Sequence, residues 1–219
     1  MPLPRMGFPP HPRKHWTPRY VLDRVSLAAW EATHPERPWL TQSAVAFLDD
    51  WVGKDDLVVE FGSGRSTRWF AEHVREVISI EHDSVWYERV KASLSERGTT
   101  NVRSFLAPET VDGHVGAAAA ALGDVKADVI LVDGQLRDAC ARWATGAIRP
   151  GGLLVLDNAN WFLPSRSHAP ASIAIHGAPA NDAWSEVWRR CAAWRRAWML
   201  NGITETLLLF APPAPGAPA

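Results

Sequence analysis

Short apolar runs alternate along this chain with longer segments in which apolar residues recur at helical spacing. The apolar runs at residues 57–61, 77–80, 101–106, 127–132 and 153–156 have the length of buried strands. Because helical segments separate successive strands, the pattern predicts a mainly parallel sheet covered by helices. The predicted helices span residues 66–73, 85–96, 115–122, 136–148 and 182–191.

The last part of the chain predicts an antiparallel pair of strands. Residues 194–200 and 204–210 flank Asn201 and Gly202, and an Asn-Gly pair between two such segments is a strong β-hairpin signal. We therefore expect the sheet to end in an antiparallel edge.

The two ends of the chain differ in composition from the rest. Residues 1–18 contain six prolines, and residues 211–219 consist of alanine, proline and glycine. Segments of this composition bury little apolar surface, so both ends are expected to be partly disordered. The predicted organisation is an N-terminal extension over residues 1–50, a core over residues 51–210 and a tail over residues 211–219.

Composition and charge narrow the classes of function. A chain of 219 residues, 47% of them hydrophobic, can bury one good core in one main domain. The formal net charge of −1 gives no overall basic field for nucleic acid or an anionic membrane. Two cysteines outside any CxxC pair fit a reducing compartment, so a cytoplasmic protein is expected. No apolar stretch approaches the roughly 20 residues that span a bilayer.

Acidic residues follow or end the predicted strands. Glu60 and Glu81 end the first and second strands, and Asp133 and Asp157 follow the fourth and fifth. Ligands of open parallel sheets bind at the carboxyl ends of the strands. This edge of the sheet is therefore the predicted functional site.

A glycine turn stands at the same edge. Gly62 and Gly64 follow the first strand and precede a helix, so backbone N–H groups there can approach an anionic ligand. Thr67 stands where the dinucleotide fingerprint has its third glycine, which disfavours a nicotinamide dehydrogenase. Glu81 lies about 20 residues after the turn, where an acid accepts hydrogen bonds from both hydroxyls of a ribose. A nucleoside ligand is implied.

These motifs together resemble the class I S-adenosylmethionine-dependent methyltransferases, over residues 39–210. The resemblance rests on the order and spacing of residues 60–64, Glu81, Asp133 with Gly134, the turn at residues 149–152, and the closing hairpin. It implies an α/β fold, a Rossmann-like seven-stranded, mainly parallel sheet with an antiparallel C-terminal hairpin and helices on both faces. It also implies that the cofactor, S-adenosylmethionine, contacts Glu60, Gly62, Ser63, Gly64, Glu81, His82, Leu106 and Asp133.

Asp133, Asp157 and Asn158 look like the magnesium site of the catechol and caffeoyl-CoA type O-methyltransferases. Oxygen ligands of this kind suit Mg²⁺, which would bind two substrate oxygens and lower the pKa of the attacking hydroxyl. The lysine that those enzymes have shortly after the first aspartate is missing, and Arg137 is among the residues that stand there instead. The base would then be a carboxylate, a histidine of the loop that follows the fifth strand, or metal-bound solvent.

The residues also allow a metal-free interpretation. Asp133 alone can bind the ammonium group of the cofactor or cap the following helix, and Asp157 with Asn158 can form a turn. Arg65, beside the glycine turn, is expected to pair with a carboxylate of cofactor or substrate, or to form a surface salt bridge. His114, in a polar stretch, is expected to be solvent-exposed and not catalytic.

The acceptor side is predicted from aromatic residues. Most of the twelve tryptophans are expected in the core and its rim, whereas Trp39 and Trp161 are positioned to contact an acceptor. In the resembled superfamily, N-terminal segments often cover the active site, so the extension is expected to form a lid with Trp16, Tyr20 or Trp39. A dimerisation arm, and hence a homodimer, remains open. The predicted catalytic residues are Asp133, Asp157 and His168, and the predicted substrate residues are Trp39, Trp161 and Asn158.

The function implied by the resemblance is methylation of a hydroxyl on a small molecule. N- or C-methylation, and an aminopropyltransferase of the spermidine-synthase kind, share the sheet and the acids at the strand ends. Nucleic-acid methylation ranks lower, because the chain has no Asn-Pro-Pro-Tyr-like tetrapeptide and no basic stripe across the core. A non-catalytic partner subunit that binds a nucleoside is the alternative from another class.

Overall fold

A computed structural model describes residues 17–216. Seven strands form one sheet, with helices before, between and after them. The strands are β1 Leu57–Phe61, β2 Glu76–Glu81, β3 Val102–Leu106, β4 Ala127–Val132, β5 Ile148–Asp157, β6 Arg195–Leu200 and β7 Glu205–Phe210. The helices are α1 Pro18–Thr33, α2 Gln42–Trp51, α3 Arg65–His73, α4 Ser84–Glu96, α5 Val111–Leu122, α6 Arg137–Ala147 and α7 Asp182–Arg190, with a 3₁₀ turn at Ala159–Trp161.

The strand order is β3-β2-β1-β4-β5-β7-β6. Strands β1 to β5 are mutually parallel, whereas β7 runs antiparallel to both β5 and β6. The chain moves outward from β1 to β3 and then restarts on the other side of β1 with β4. In open sheets with such a reversal, ligands bind outside the carboxyl ends of the strands at the reversal, which here are those of β1 and β4. The predicted Rossmann-like, seven-stranded fold is confirmed.

Side chains of the central strands point alternately into two apolar layers. Val59 and Phe61 of β1 pack with residues of α5, α6 and α7, whereas Val58 packs with residues of α2 and α3. Both faces of the sheet are therefore covered by helices, and the carboxyl edge of the strands is left to carry the polar groups.

Helices α1 and α2 were not predicted. Helix α2 buries Ala44, Val45 and Leu48 in the same apolar layer as α3, so part of the predicted extension packs on the sheet. Helix α1 has no buried residue. Trp16, most of the proline-rich start and the last three residues lie outside the described range. None of the helices within residues 17–216 is both long and apolar enough to span a membrane.

Strand β5 begins earlier than predicted. It starts at Ile148 and includes the Pro-Gly-Gly sequence that the pattern assigned to a turn. The pairing with β4 shifts register between Ala127 and Val129, and this irregularity accommodates the extra residues of β5. A side chain at Gly152 would lie 2.8 Å from the Asp128 carbonyl oxygen, so glycine is required where the two strands approach.

Candidate active site

The tips of β1 and β4 meet through two glycines. Gly62 has a φ of +97°, and a Cβ atom there would lie 2.8 Å from both the Cα and the N of Gly134. A Cβ on Gly134 would in turn lie 2.9 Å from the Gly62 N. The Gly62 N–H donates to the Ile80 carbonyl oxygen at 2.9 Å, and the Asp133 N–H donates to Phe61 at 3.0 Å. Glycine at both positions therefore lets three strand tips join by backbone contacts alone.

Glu81 folds back onto the glycine turn. One carboxylate oxygen accepts the Ser63 N–H at 2.9 Å, and the other accepts the N–H groups of His82 and Asp83 at 2.8 and 2.9 Å. The His82 Nδ1 lies 2.9 Å from the latter oxygen. Only 4% of Glu81 is exposed. The side chain thus holds the turn in place at the tip of β2.

Glu60 lies fully buried beneath the same turn. Its Oε2 accepts hydrogen bonds from the hydroxyls of Thr67 and Ser79, whereas Oε1 has no partner in the described part of the chain. Burial raises the pKa of Glu60 to about 7, against the hydroxyl hydrogen bonds that lower it. The Thr67 hydroxyl also accepts the Gly64 N–H at 2.8 Å. Thr67, the departure from the dinucleotide fingerprint, therefore connects the turn to Glu60.

Arg65 begins helix α3 directly after the turn; the N-cap residue Gly64 has no side chain, and its N–H donates to the Thr67 hydroxyl. Its guanidinium carbon lies 4.7 Å from the ring centroid of Trp39, a cation–π contact. The Nη1 atom is buried and has no hydrogen-bond partner among residues 17–216, nor does Arg65 form an ion pair within that range. The surface salt bridge considered from the sequence is thus not observed there.

His82 and Leu106, two of the predicted cofactor contacts, lie at the tips of β2 and β3. The Ala107 N–H donates to the Glu81 carbonyl oxygen at 2.8 Å, which aligns the end of β3 with that of β2. Leu106 is 49% exposed at this edge. His82, half-buried, lies next to Glu81.

His114 is buried, at 1% exposure, so the expectation of a solvent-exposed histidine is wrong. The reason is that α5 begins at Val111, earlier than the predicted 115, which puts His114 on an inward helical face. Its Nδ1 lies 2.9 Å from the Pro108 carbonyl oxygen, and its ring centroid is 5.9 Å from that of His82.

Asp133 and Asp157 come together where β4 and β5 end. Asp157 is 4% exposed; its Oδ1 accepts the Thr206 hydroxyl at 3.0 Å, and its Oδ2 accepts the Asn158 amide. Burial raises the pKa of both aspartates, and the neighbouring Asp133 charge raises that of Asp157 further. Arg137 opposes the rise in both. The pair therefore tends to retain a proton beside a fixed positive charge.

The three predicted metal ligands are adjacent but do not fit a divalent ion as arranged. Arg137 contacts one oxygen of Asp133, both oxygens of Asp157 accept hydrogen bonds from other side chains, and Asn158 turns its NH₂ group toward Asp157. The structure from residue 17 to residue 216 contains no group of three or more His, Cys, Asp or Glu side chains suited to a metal.

The other predicted acceptor residues lie after β5. Trp161 is 37% exposed on the 3₁₀ turn, and its ring packs edge-on against Phe162. His168 and His176 are exposed in the loop that follows, and within the described chain neither hydrogen-bonds to the aspartates. Their roles stay predictions.

Two contacts of the candidate site were not predicted, although the sequence carried a signal for each. Arg137 stands four residues after Asp133, a spacing at which an arginine reaches an acid. Thr67 stands three residues after Gly64, a spacing typical of the first turn of a helix. Thr206 had no such signal, because its contact depends on the antiparallel register of β7 against β5.

Three solved structures share this fold at low sequence identity. A methyltransferase-like protein from Silicibacter pomeroyi DSS-3 matches with a TM-score of 0.53 and 21% identity, covering 83% of this chain and 93% of its own. The O-methyltransferase TomG of Streptomyces achromogenes, involved in tomaymycin synthesis, has a TM-score of 0.51 and 17% identity over 73% of this chain and 74% of its own. An rRNA methylase from Streptococcus thermophilus has a TM-score of 0.51 and 12% identity, covering 77% of this chain and 93% of its own.

The strand order and the likeness to these structures define the fold as that of the class I S-adenosylmethionine-dependent methyltransferases. A scan of the sequence against protein families finds no match, and a search of curated proteins finds none.

Proposed function

We propose that this protein is an S-adenosylmethionine-dependent methyltransferase that methylates a hydroxyl of a small molecule. The observation that carries the proposal is the pair of unpartnered ionisable groups beside the glycine turn. Glu60 Oε1 and Arg65 Nη1 are both buried without a hydrogen-bond partner among residues 17–216. An α-amino acid group, with one ammonium and one carboxylate, would satisfy both.

The remaining cofactor contacts follow from the strand tips. One oxygen of Glu81 accepts a single hydrogen bond, from Ser63, so a lone pair remains for a ribose hydroxyl. We assign the adenine to the edge that His82 and Leu106 form at the tips of β2 and β3. Support also comes from TomG, whose solved structure contains S-adenosylmethionine.

The chemistry needed from the protein is alignment and proton removal. S-Adenosylmethionine supplies a methyl group on an activated sulfonium, so the chain mainly orients the acceptor and takes its proton. We assign the base to the pair of Asp133 and Asp157, with His168 as the second candidate. Trp39, Trp161 and Asn158 are the proposed acceptor-contacting residues.

Calorimetry with S-adenosylhomocysteine tests the cofactor site. We expect micromolar binding by the parent protein and its loss in Glu81→Ala. The matched control is Glu88→Ala, which removes an exposed carboxylate on α4 and should bind as the parent does. Circular dichroism checks that each variant is folded. A folded parent that does not bind S-adenosylhomocysteine would refute the proposal.

Turnover separates an enzyme from a non-catalytic subunit. Incubation of the parent with labelled S-adenosylmethionine and a panel of phenols and sugar-like alcohols should transfer label to at least one acceptor. Asp133→Asn should lower that transfer, because the amide cannot accept the proton. Binding of S-adenosylhomocysteine without transfer to any hydroxyl, amine or carbon acceptor would favour the partner subunit instead.

A further inference from the structure

Arg137 lies where the acids of β4 and β5 meet. It is the first residue of α6 and follows Leu136, which has a left-handed backbone with a φ of 51°. This sharp entry into the helix turns the Arg137 side chain back across the strand tips. Only 17% of the side chain is exposed.

The guanidinium group joins the two strand tips. Its Nε donates to the Gly134 carbonyl oxygen at 2.9 Å, and Nη2 donates to the carbonyl and carboxylate oxygens of Asp133 at 2.8 and 3.0 Å. Nη1 donates to the Asp157 carbonyl oxygen at 2.5 Å. Four of the five guanidinium N–H donors are thereby used, three of them on backbone carbonyls. A contact set of this kind fixes the arginine in one position.

A divalent ion would have to displace these contacts. It needs oxygen lone pairs of Asp133, Asp157 and Asn158 directed at one point. The Asn158 amide instead presents its NH₂ to Asp157. A guanidinium within hydrogen-bond distance of Asp133 would also repel the ion.

We propose that Arg137 takes the place of a divalent metal ion at the tips of β4 and β5, as a built-in cation that positions Asp133 and Asp157 for a metal-free reaction. This inference deepens the proposed function, since it concerns the acceptor side of the same site. Arg137 acts as a positioning residue, because its contacts are with the strand tips.

The test is a direct titration with Mn²⁺, in which electron paramagnetic resonance of the free ion measures how much is bound. The parent should show no stoichiometric site. Arg137→Ala should gain one site of at least about tenfold higher affinity than any in the parent, because the repelling charge is gone and the oxygen ligands remain. Adding Asp157→Asn should remove that site. Arg142→Ala, on the same helix and 49% exposed, is the matched control and should gain none.

Arg137→Met serves as a second variant if the alanine does not fold, since it keeps the length of the side chain without its charge. A parent that binds one Mn²⁺ with the affinity of the variant would overturn the inference. Folded Arg137 variants without a gained site would overturn it as well. S-Adenosylhomocysteine binding is measured on the same samples. A parent that does not bind S-adenosylhomocysteine would refute the proposed methyltransferase. A parent that binds both S-adenosylhomocysteine and Mn²⁺ would refute only the role of Arg137.

Discussion

Replacing Glu60 with glutamine should stabilise the protein at alkaline pH. Glu60 is fully buried beneath the glycine turn, and its two hydrogen bonds come from the hydroxyls of Thr67 and Ser79. Glutamine has nearly the same shape, can still accept both bonds with its amide oxygen, and carries no charge at any pH. It therefore imitates the protonated form of Glu60.

The magnitude follows from the pKa of the buried carboxyl. In the unfolded chain Glu60 titrates near its ordinary value of 4.5, whereas the folded protein holds the proton up to about 7. Between these values the folded state binds more protons than the unfolded state, so stability falls as the pH rises. Each pKa unit corresponds to about 1.4 kcal/mol, which gives a total loss of about 3 kcal/mol above the folded pKa. Glu60→Gln does not undergo this loss.

Urea unfolding of parent and variant, at about pH 5 and about pH 8, measures the effect. The free energy of unfolding of Glu60→Gln, relative to the parent, should rise by about 2 to 3 kcal/mol between the two conditions. The other buried acids are present in both proteins, so their contributions cancel in the difference. Glu88→Gln, at an exposed position, should show no such change. A Glu60→Gln difference that stays constant with pH would show that burial does not shift this carboxyl.

Two further predictions concern other positions. Gly62→Ala places a Cβ 2.8 Å from Gly134 at a positive φ, so urea unfolding should show a loss of about 1 kcal/mol or more, and calorimetry should show weaker S-adenosylhomocysteine binding. Gly116→Ala, in open space on α5, should instead gain about 0.5 to 1 kcal/mol, and equal effects of both alanines would contradict the close approach. Glu205 is 1% exposed, neither of its oxygens has a partner among residues 17–216, and burial raises its pKa. The stability of the parent then falls as the pH rises above the ordinary pKa of glutamate. The free energy of unfolding of Glu205→Gln, relative to that of the parent, should therefore be higher near pH 8 than near pH 5. A difference in urea unfolding that does not change with pH would contradict this.

The sheet could be predicted because its strands are locally encoded. The apolar run at residues 57–61 coincides with β1, and the Asn-Gly pair coincides with the turn between β6 and β7. Helix α2 was not predicted, although its buried residues Ala44, Val45 and Leu48 recur at helical spacing in the sequence. The early start of β5 was not predicted because it depends on the irregular pairing with β4, which arises only when the two strands come together.

The polar contacts of the site were less predictable than the positions of its acids. Glu81 stands at the strand tip that the sequence indicated, yet its hydrogen bonds to Ser63 and Asp83 depend on how the turn closes. His114 shows the same limit, since a four-residue error in the start of α5 changed an exposed side chain into a buried one.

Two departures from known motifs, Thr67 from the dinucleotide fingerprint and Arg137 from the catechol and caffeoyl-CoA type site, have a common physical basis. Thr67 replaces a glycine and gives its hydroxyl to Glu60, and Arg137 stands near the position of a missing lysine and binds Asp133. A glycine at position 67 would leave the buried Glu60 with one hydrogen bond fewer, which costs about 1 kcal/mol or more. A shorter or neutral side chain at position 137 would leave two adjoining carboxyl groups without a nearby positive charge. Each departure thus gives an acid of the site a hydrogen-bond donor. A motif residue and the residues that satisfy its hydrogen bonds therefore have to be considered together when a motif is compared between proteins.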